Sequence, residues 1–237
     1  MNPYQKLLNR KRKWTPVQTT AGTCKPGAEE AIFRALALRH MELPVGDFIN
    51  DALATDVPKN ARDVLLSNVK DEENHDLALG YIANAYGVDE QAEAEALRLK
   101  SAWEAHPDHT ITKALVAERA IFFVLLPFFR FNGDAGMRTV SADISRDEQI
   151  HVAVNSLAHT ELGYNISPSL DKLRKATINW VMQPLGDHAD KYLNKKFWLD
   201  SSDRLMYEGK APQLAETKAA RMPAFFEHSN VNLPQYA

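Results

Sequence analysis

Two short stretches decide the fold: Glu-Glu-Asn-His at residues 72–75 and Glu-Gln-Ile-His at residues 148–151. Both are copies of Glu-x-x-His, and residues three apart share a face of an α-helix. Each copy therefore points one carboxylate and one imidazole at the same place. An unpaired glutamate precedes each copy at the same distance, because Glu42 lies 30 residues before Glu72 and Glu118 lies 30 residues before Glu148. Glu29 and Glu30 compete with Glu42 for the first position, and the spacing favours Glu42.

This doubled pattern predicts a metal site inside a helical bundle. Four helices that supply Glu, Glu-x-x-His, Glu and Glu-x-x-His form the inward-facing ligand set of a di-iron or di-manganese site in a ferritin-like bundle. Carboxylate oxygens with one imidazole per metal suit iron and manganese better than they suit a closed structural zinc site. The predicted ligands are Glu42, Glu72, His75, Glu118, Glu148 and His151.

The surroundings of Glu118 support this prediction. Glu118 stands in the apolar run Ala-Leu-Val-Ala-Glu-Arg-Ala-Ile-Phe-Phe at residues 114–123, where an unpaired buried carboxylate would be very costly. Arg119 cannot neutralise it, since adjacent residues of a helix do not face each other. A reduced metal pair has open coordination positions and can bind and activate dioxygen. Phe122, Ile121 and Ile144 are expected to shield such a site from water.

The bulk composition excludes several classes of protein. A chain of 237 residues is long enough for one well-packed domain, and its net charge of −3 gives no footprint for nucleic acid or an anionic membrane. The basic stretch Arg-Lys-Arg-Lys at residues 10–13 is interpreted as a solvated tail rather than a nucleic-acid arm. Cys24 is the single cysteine and no apolar run follows the N-terminal charges, which predicts a cytoplasmic protein without disulfides or a signal peptide.

Glycine and proline gather between long segments, which predicts an all-α chain. The predicted organisation is an irregular segment at residues 1–27, a dimetal helical domain of four core helices plus additional helices at 28–222, and a tail at 223–237. A short helix is expected near residues 4–13, and Pro44-Val45-Gly46 and Gly87 are expected to end helices. Pro127 should kink its helix. The long predicted helices cover residues 28–41, 59–86, 90–105, 110–131, 137–162, 167–191 and 194–207.

Several stretches resemble the small (β) subunit of class I ribonucleotide reductase. Residues 143–151, Asp-Ile-Ser-Arg-Asp-Glu-Gln-Ile-His, are very similar to the Ser-Arg-Asp-Glu-x-x-His signature of that family. Residues 117–123 resemble the family helix that carries the third glutamate, and stretches at 50–62, 202–206 and 225–227 extend the resemblance over most of 42–227. The resemblance implies a homodimer that holds a one-electron oxidant on its metals and lends it to a separate large (α) subunit, which binds the nucleotides.

The resemblance also implies roles for residues beyond the ligands. Asp147 would hydrogen-bond His75, Trp14 would complete a radical-transfer path, and Tyr236 would pass the radical to the large subunit. Leu79 stands where the family has its radical tyrosine, four residues after the first histidine, and Leu79, Phe122 and Ile144 are expected around the metals. Tyr81 is a poor substitute, since it lies about 200° further round the helix.

Family members without the tyrosine keep the oxidising equivalent on a manganese/iron pair, and a glutamate as first ligand resembles that subgroup. The expected cofactor is thus an Fe/Fe or Mn/Fe pair with dioxygen for activation. Two other functions stay open. A stand-alone dimetal oxygenase or oxidase, acting on a small hydrophobic or amine-bearing molecule near Leu79, is favoured by the missing tyrosine. An iron-storage or detoxification bundle is disfavoured by the apolar surroundings of Glu118.

Overall fold

The structure, a computed structural model, describes residues 2–18 and 22–214. Within these ranges every regular element is a helix, and the single extended pairing is an isolated bridge between Cys24 and Gly133. The predicted all-α class is therefore confirmed. The α-helices are α1 (Pro3–Leu8), α2 (Glu29–Ala37), α3 (Glu42–Thr55), α4 (Arg62–Tyr86), α5 (Glu90–Glu104), α6 (Thr110–Ala117), α7 (Phe123–Asn132), α8 (Ala135–Glu161), α9 (Pro168–Met182) and α10 (Lys195–Glu208).

Short helices of other types connect some of these elements. A π-helical segment, Glu118–Phe122, joins α6 to α7 without a break. Single 3-10 turns occur at Leu38–Met41, Lys59–Ala61, Lys191–Leu193 and Pro212–Leu214. In the part of the chain that the structure describes, no helix combines the length and the apolar character needed to cross a membrane.

Four helices form a closed ring around the centre of the molecule. α3 packs against α4 and α6, and α8 closes the ring by packing against both α4 and α6. Ile49, Leu65, Val116 and Ile144, one from each member of the ring, are completely buried between them. Burying each such side chain contributes about 1.5–3 kcal/mol to stability. Apolar packing therefore stabilises the ring, although buried polar residues also lie inside it.

Side-chain caps fix where the long helices begin and end. The carboxylate of Asp134 accepts a hydrogen bond from the backbone N–H of Met137 and starts α8, and Ser167 caps α9 in the same way through the N–H of Leu170. α4 stops at Gly87, whose φ of 98° is open to glycine but costly for other residues, as the sequence predicted. Asp134 thus fixes the start of α8 and Gly87 the end of α4, the two helices that carry Glu-x-x-His.

Some predicted boundaries are wrong. Pro44-Val45-Gly46 does not end a helix: the break is the 3-10 turn at Leu38–Met41, and Pro44 lies in the first turn of α3, where its missing N–H costs no intrahelical bond. The predicted helix 167–191 ends at Met182, because Pro184 cannot continue it. The N-terminal helix is shorter than predicted and ends at Leu8.

Candidate metal centre

The ring brings together all six predicted ligands. Glu42 is the first residue of α3 and Glu118 the first of the π segment, while the two Glu-x-x-His pairs come from α4 and α8. Each of the six side chains is at most 1% exposed. Their ligand atoms fall into two overlapping groups that could each hold a metal ion: Glu42, Glu72, His75 and Glu148, and Glu72, Glu118 and His151.

The first group is centred on His75. Its Nδ1 lies 3.2 Å from Oε2 of Glu72, 3.3 Å from Oε1 of Glu148 and 3.7 Å from Oε2 of Glu42. These distances leave one nitrogen and three carboxylate oxygens facing a common point. Such a set matches one half of a dimetal carboxylate site.

The second group is centred on His151 and mirrors the first. Its Nδ1 lies 3.0 Å from Oε1 of Glu72, 3.6 Å from Oε1 of Glu118 and 3.6 Å from Oε1 of Glu148. Glu72 thus offers one oxygen to each histidine, and Glu148 faces both. The two imidazole rings lie 5.5 Å apart. The arrangement provides two neighbouring positions, each with its own terminal glutamate, joined by two carboxylates.

These residues fit a pair of divalent cations. Both carboxylate oxygens of Glu42 and of Glu148, one oxygen each of Glu72 and Glu118, and Nδ1 of His151 are buried without a hydrogen-bond partner. Unpaired polar atoms of this kind cost free energy, and buried carboxylates cost most. Four glutamates carry the charge that two divalent cations neutralise. Oxygen-rich ligands with one imidazole each suit iron and manganese.

Burial and mutual interaction shift the pKa values inside the site. Burial raises the pKa of Glu42 well above its usual value, and raises the pKa of Glu118 to about 8. Burial alone would lower the pKa of His75, but the carboxylates of Asp147 and the nearby glutamates outweigh it and raise that pKa strongly. The pKa of His151 rises for a similar reason, since Glu148 and Glu72 outweigh its burial. Burial and close carboxylate–imidazole contacts thus shift the pKa values of these groups away from their usual range.

The outer face of His75 leads to the molecular surface. Nε2 of His75 lies 3.4 Å from Oδ2 of Asp147, and the indole Nε1 of Trp14 donates a hydrogen bond of 2.5 Å to the same oxygen. The ring centroids of Trp14 and His75 are 6.3 Å apart. The hydrogen bonds to His75 and Trp14 outweigh burial and lower the pKa of Asp147. The structure thus joins the three residues that the family resemblance grouped together, while Tyr236 lies outside the described residues.

The outer face of His151 holds Asp71, which the sequence did not single out. Oδ2 of Asp71 lies 2.9 Å from Nε2 of His151 and accepts a hydrogen bond from the ammonium group of Lys11. A signal for Asp71 does exist in the sequence, because an aspartate precedes the glutamate in both copies of the motif. The two aspartates cross over: Asp71 from the first copy contacts the histidine of the second, and Asp147 does the reverse.

The interpretation of residues 10–13 as a solvated tail is wrong for two of them. Lys11 and Arg12 turn inward, where Lys11 binds Asp71 and Arg12 binds Asp143 at 3.1 Å. Acidic side chains on α4 and α8 attract them, and the burial of Tyr4 and Leu7 holds α1 against the same two helices. Arg10 and Lys13 are exposed, as expected.

Other neighbours complete the surroundings of the ligands. Leu79, Phe122 and Ile144, expected near the metals, are all buried in the core. Asn155, on the face of α8 that carries Glu148 and His151, donates a hydrogen bond of 2.6 Å to Oε2 of Glu118. The sequence analysis missed the π segment that begins at Glu118, and π-helical turns occur frequently at functional sites.

Comparison of the chain with known protein families, with curated proteins and with solved structures gives no match.

Proposed function

We propose that this protein is the small, radical-generating (β) subunit of a class I ribonucleoside-diphosphate reductase, with a ferritin-like fold. One observation carries the proposal: the continuous contact from Trp14 through Asp147 to His75. A storage site or an oxygenase needs no oxidisable side chain connected to a metal ligand. A subunit that lends a one-electron oxidant to another protein does need one, and Trp14 is only partly buried.

When bound, an Fe/Fe or Mn/Fe pair activated by dioxygen would supply that one-electron oxidant. The protein holds the path for it. Asp147 contacts both the indole N–H of Trp14 and the imidazole of His75, so it fixes the two rings relative to each other. An indole that loses an electron becomes acidic at Nε1, and the ionised Asp147 is placed to accept that proton. Proton and electron would thus leave Trp14 toward the site together.

Leu79 bears on where the oxidising equivalent resides. It is a buried residue of α4 and its side chain cannot be oxidised to a stable radical. The resemblance to family members without the tyrosine therefore favours a manganese/iron pair. The chain has no glycine-rich phosphate loop of its own, so a separate large (α) subunit would bind the nucleotides. We further propose that the protein forms a homodimer in the cytoplasm and docks on that subunit.

The test is co-expression with a candidate α subunit, followed by an assay of deoxynucleotide formation. Trp14→Phe should abolish turnover while leaving metal content unchanged, because phenylalanine can neither donate to Asp147 nor be oxidised as readily. Trp180→Phe is the matched control, since Trp180 on α9 binds Glu95 and no residue of the site. Normal turnover of the Trp14 variant would remove the central argument for a reductase.

A stand-alone oxygenase or oxidase is the second candidate. Leu79 supports it, and so does a cleft of about 410 Å³ on the outer side of the π segment. The cleft is mainly apolar with one guanidinium group, and it is lined by Arg119, Phe123, Gln149, Val152, Leu205 and Gly209 among others. This candidate predicts substrate oxidation without any α subunit, which oxygen consumption by the isolated metal-loaded protein would reveal.

A further inference from the structure

The charge around the candidate metal centre is balanced by the N-terminal arm, defined here as residues 9–14. Six carboxylates surround the two histidines, four from the glutamates and two from Asp71 and Asp147. Two divalent cations would neutralise four of these charges. The remaining two face Lys11 and Arg12, so the arm supplies the cations that the helical ring does not.

The arm nevertheless places its positive charge differently beside the two histidines. On the His75 side, Asp147 accepts from the neutral indole of Trp14, and the guanidinium of Arg12 stays 3.6 Å away on the other oxygen. That guanidinium is shared with Asp143. The positive charge on this side is therefore divided between two carboxylates.

On the His151 side the positive charge is concentrated. The ammonium group of Lys11 contacts Asp71 directly, donates a hydrogen bond of 2.9 Å to Oδ1 of Asn68, and lies 3.4 Å from Nε2 of His151. The side chains of Lys11 and Asp71 are each only 12% exposed. Water and salt screen such a partly buried charge much less than a surface charge.

We propose that Lys11 makes the two metal positions unequal, with the His151 position the weaker of the two. A carboxylate on the outer nitrogen of a metal-bound imidazole raises the basicity of that imidazole and strengthens metal binding. Lys11 cancels this effect at Asp71, and its charge repels a cation bound to His151. The His75 position then fills first, which gives a site able to take up two different metals in order.

The proposal rests on the dimetal site of the proposed function but not on the reductase activity. The test is anaerobic titration of the full-length protein with Mn(II) alone, with free Mn(II) followed by electron paramagnetic resonance. Wild-type protein should bind in two unequal steps. Lys11→Met and Lys11→Gln should tighten the weaker step about tenfold, the size expected for outer contacts of a metal ligand, and leave the stronger step unchanged.

Two controls separate charge from folding. Lys11→Arg keeps the positive charge and should bind as wild type does, and Lys13→Met makes the same change as Lys11→Met at an exposed position two residues away. Lys11→Gln can still hydrogen-bond Asp71 and Asn68, so it remains informative where circular dichroism shows that Lys11→Met has unfolded. Anomalous diffraction from crystals with one equivalent of Mn(II) assigns the first step, which should occupy the His75 position.

Three results would overturn the proposal: an unchanged weaker step in both Lys11→Met and Lys11→Gln, an equal shift of both steps, or first occupancy at His151. Absence of Mn(II) binding by the wild-type protein would instead contradict the dimetal site itself. The two failures are thus distinguishable.

Discussion

At the scale of single residues, burial without hydrogen bonds identifies the site. Glu42 and Glu148 are completely buried, yet neither carboxylate has a hydrogen-bond partner among the described residues. Removing an ionised carboxylate from water costs several kcal/mol unless a partner compensates. The histidines compensate only in part, since each imidazole faces three carboxylates. Cations are the partners that such a set of ligands requires.

Glu118→Ala should therefore remove about one metal ion per chain. The change deletes the terminal carboxylate of the His151 position and leaves the His75 group intact. The helices should stay folded, because alanine is apolar and suits the surroundings of residue 118. Elemental analysis measures the metal, with Glu73→Ala as a control because Glu73 is exposed beside Glu72. Unchanged metal content in Glu118→Ala would refute the assignment of this ligand.

Metal binding should release protons. Burial raises the pKa of Glu42 and raises that of Glu118 to about 8, and the pKa values of both site histidines are also raised, so these groups hold protons near pH 7. A metal must displace those protons, and its affinity should fall as the pH is lowered. Calorimetry in buffers with different heats of ionisation measures the release. Binding heats that do not depend on the buffer would contradict this account.

Sequence motifs predicted these ligands because each Glu-x-x-His pair lies within one turn of one helix. The contacts of Lys11 join residues that are far apart in the chain. Lys11 lies 60 residues from Asp71 and 140 from His151 in the chain. Its inward turn depends on how α1 packs against α4 and α8, which no periodicity in residues 2–14 encodes. Asp71 was within reach of sequence analysis, through the aspartate shared by both motifs.

At the scale of elements, apolar periodicity and terminal residues predicted most helices and some of their ends. α4 and α8 run close to their expected bounds, and Gly87 ends α4. The π segment at Glu118–Phe122 was not predictable, because an apolar run fits both an α-helix and a wider turn. The end of α9 was placed too late, at residue 191, although Pro184 stops the helix after Met182.

Arg174 should be the main polar contact between α9 and α10. It is completely buried and donates hydrogen bonds to Ser202 at 2.6 Å and to Asp203 at 2.7 Å. Arg174→Ala should lower the free energy of unfolding by about 3 kcal/mol, since it removes a completely buried side chain together with its hydrogen bonds to Ser202 and Asp203. Chemical denaturation measures the loss. The control is Lys175→Ala, because Lys175 is the next residue and its side chain is half exposed, so its loss should change the free energy of unfolding little. An equally small loss for Arg174→Ala would show that the hydrogen bonds of Arg174 are dispensable.

At the scale of the whole molecule, a ring of four helices holds the ligands and the N-terminal arm covers their outer face. α3, α4, α6 and α8 each contribute to the interior, and the arm brings Lys11, Arg12 and Trp14 to the two aspartates. The all-α class followed from the sequence, while the placement of the arm did not. The arm therefore links the two aspartates beside the site histidines to the protein surface.

Tyr236 should be essential for nucleotide reduction but not for metal binding. The family resemblance implies that it would carry the radical to the large subunit, so Tyr236→Phe should abolish turnover and leave metal content and α binding nearly intact. Deletion of residues 228–237 should abolish both binding and turnover. Tyr81→Phe is the control on α4 and should remain active. Normal turnover of Tyr236→Phe would show that this tyrosine is not part of the path.

The most direct test of the proposed function is the rate of deoxynucleotide formation when the metal-loaded protein is combined with its α subunit. We expect product only after metal and dioxygen are supplied, with the highest rate when manganese and iron are both present, because a chain with Leu79 in place of the tyrosine would keep the oxidising equivalent on the metals. A protein that binds two metals per chain and associates with α, yet forms no deoxynucleotide with any metal combination, would contradict the assignment as a reductase subunit.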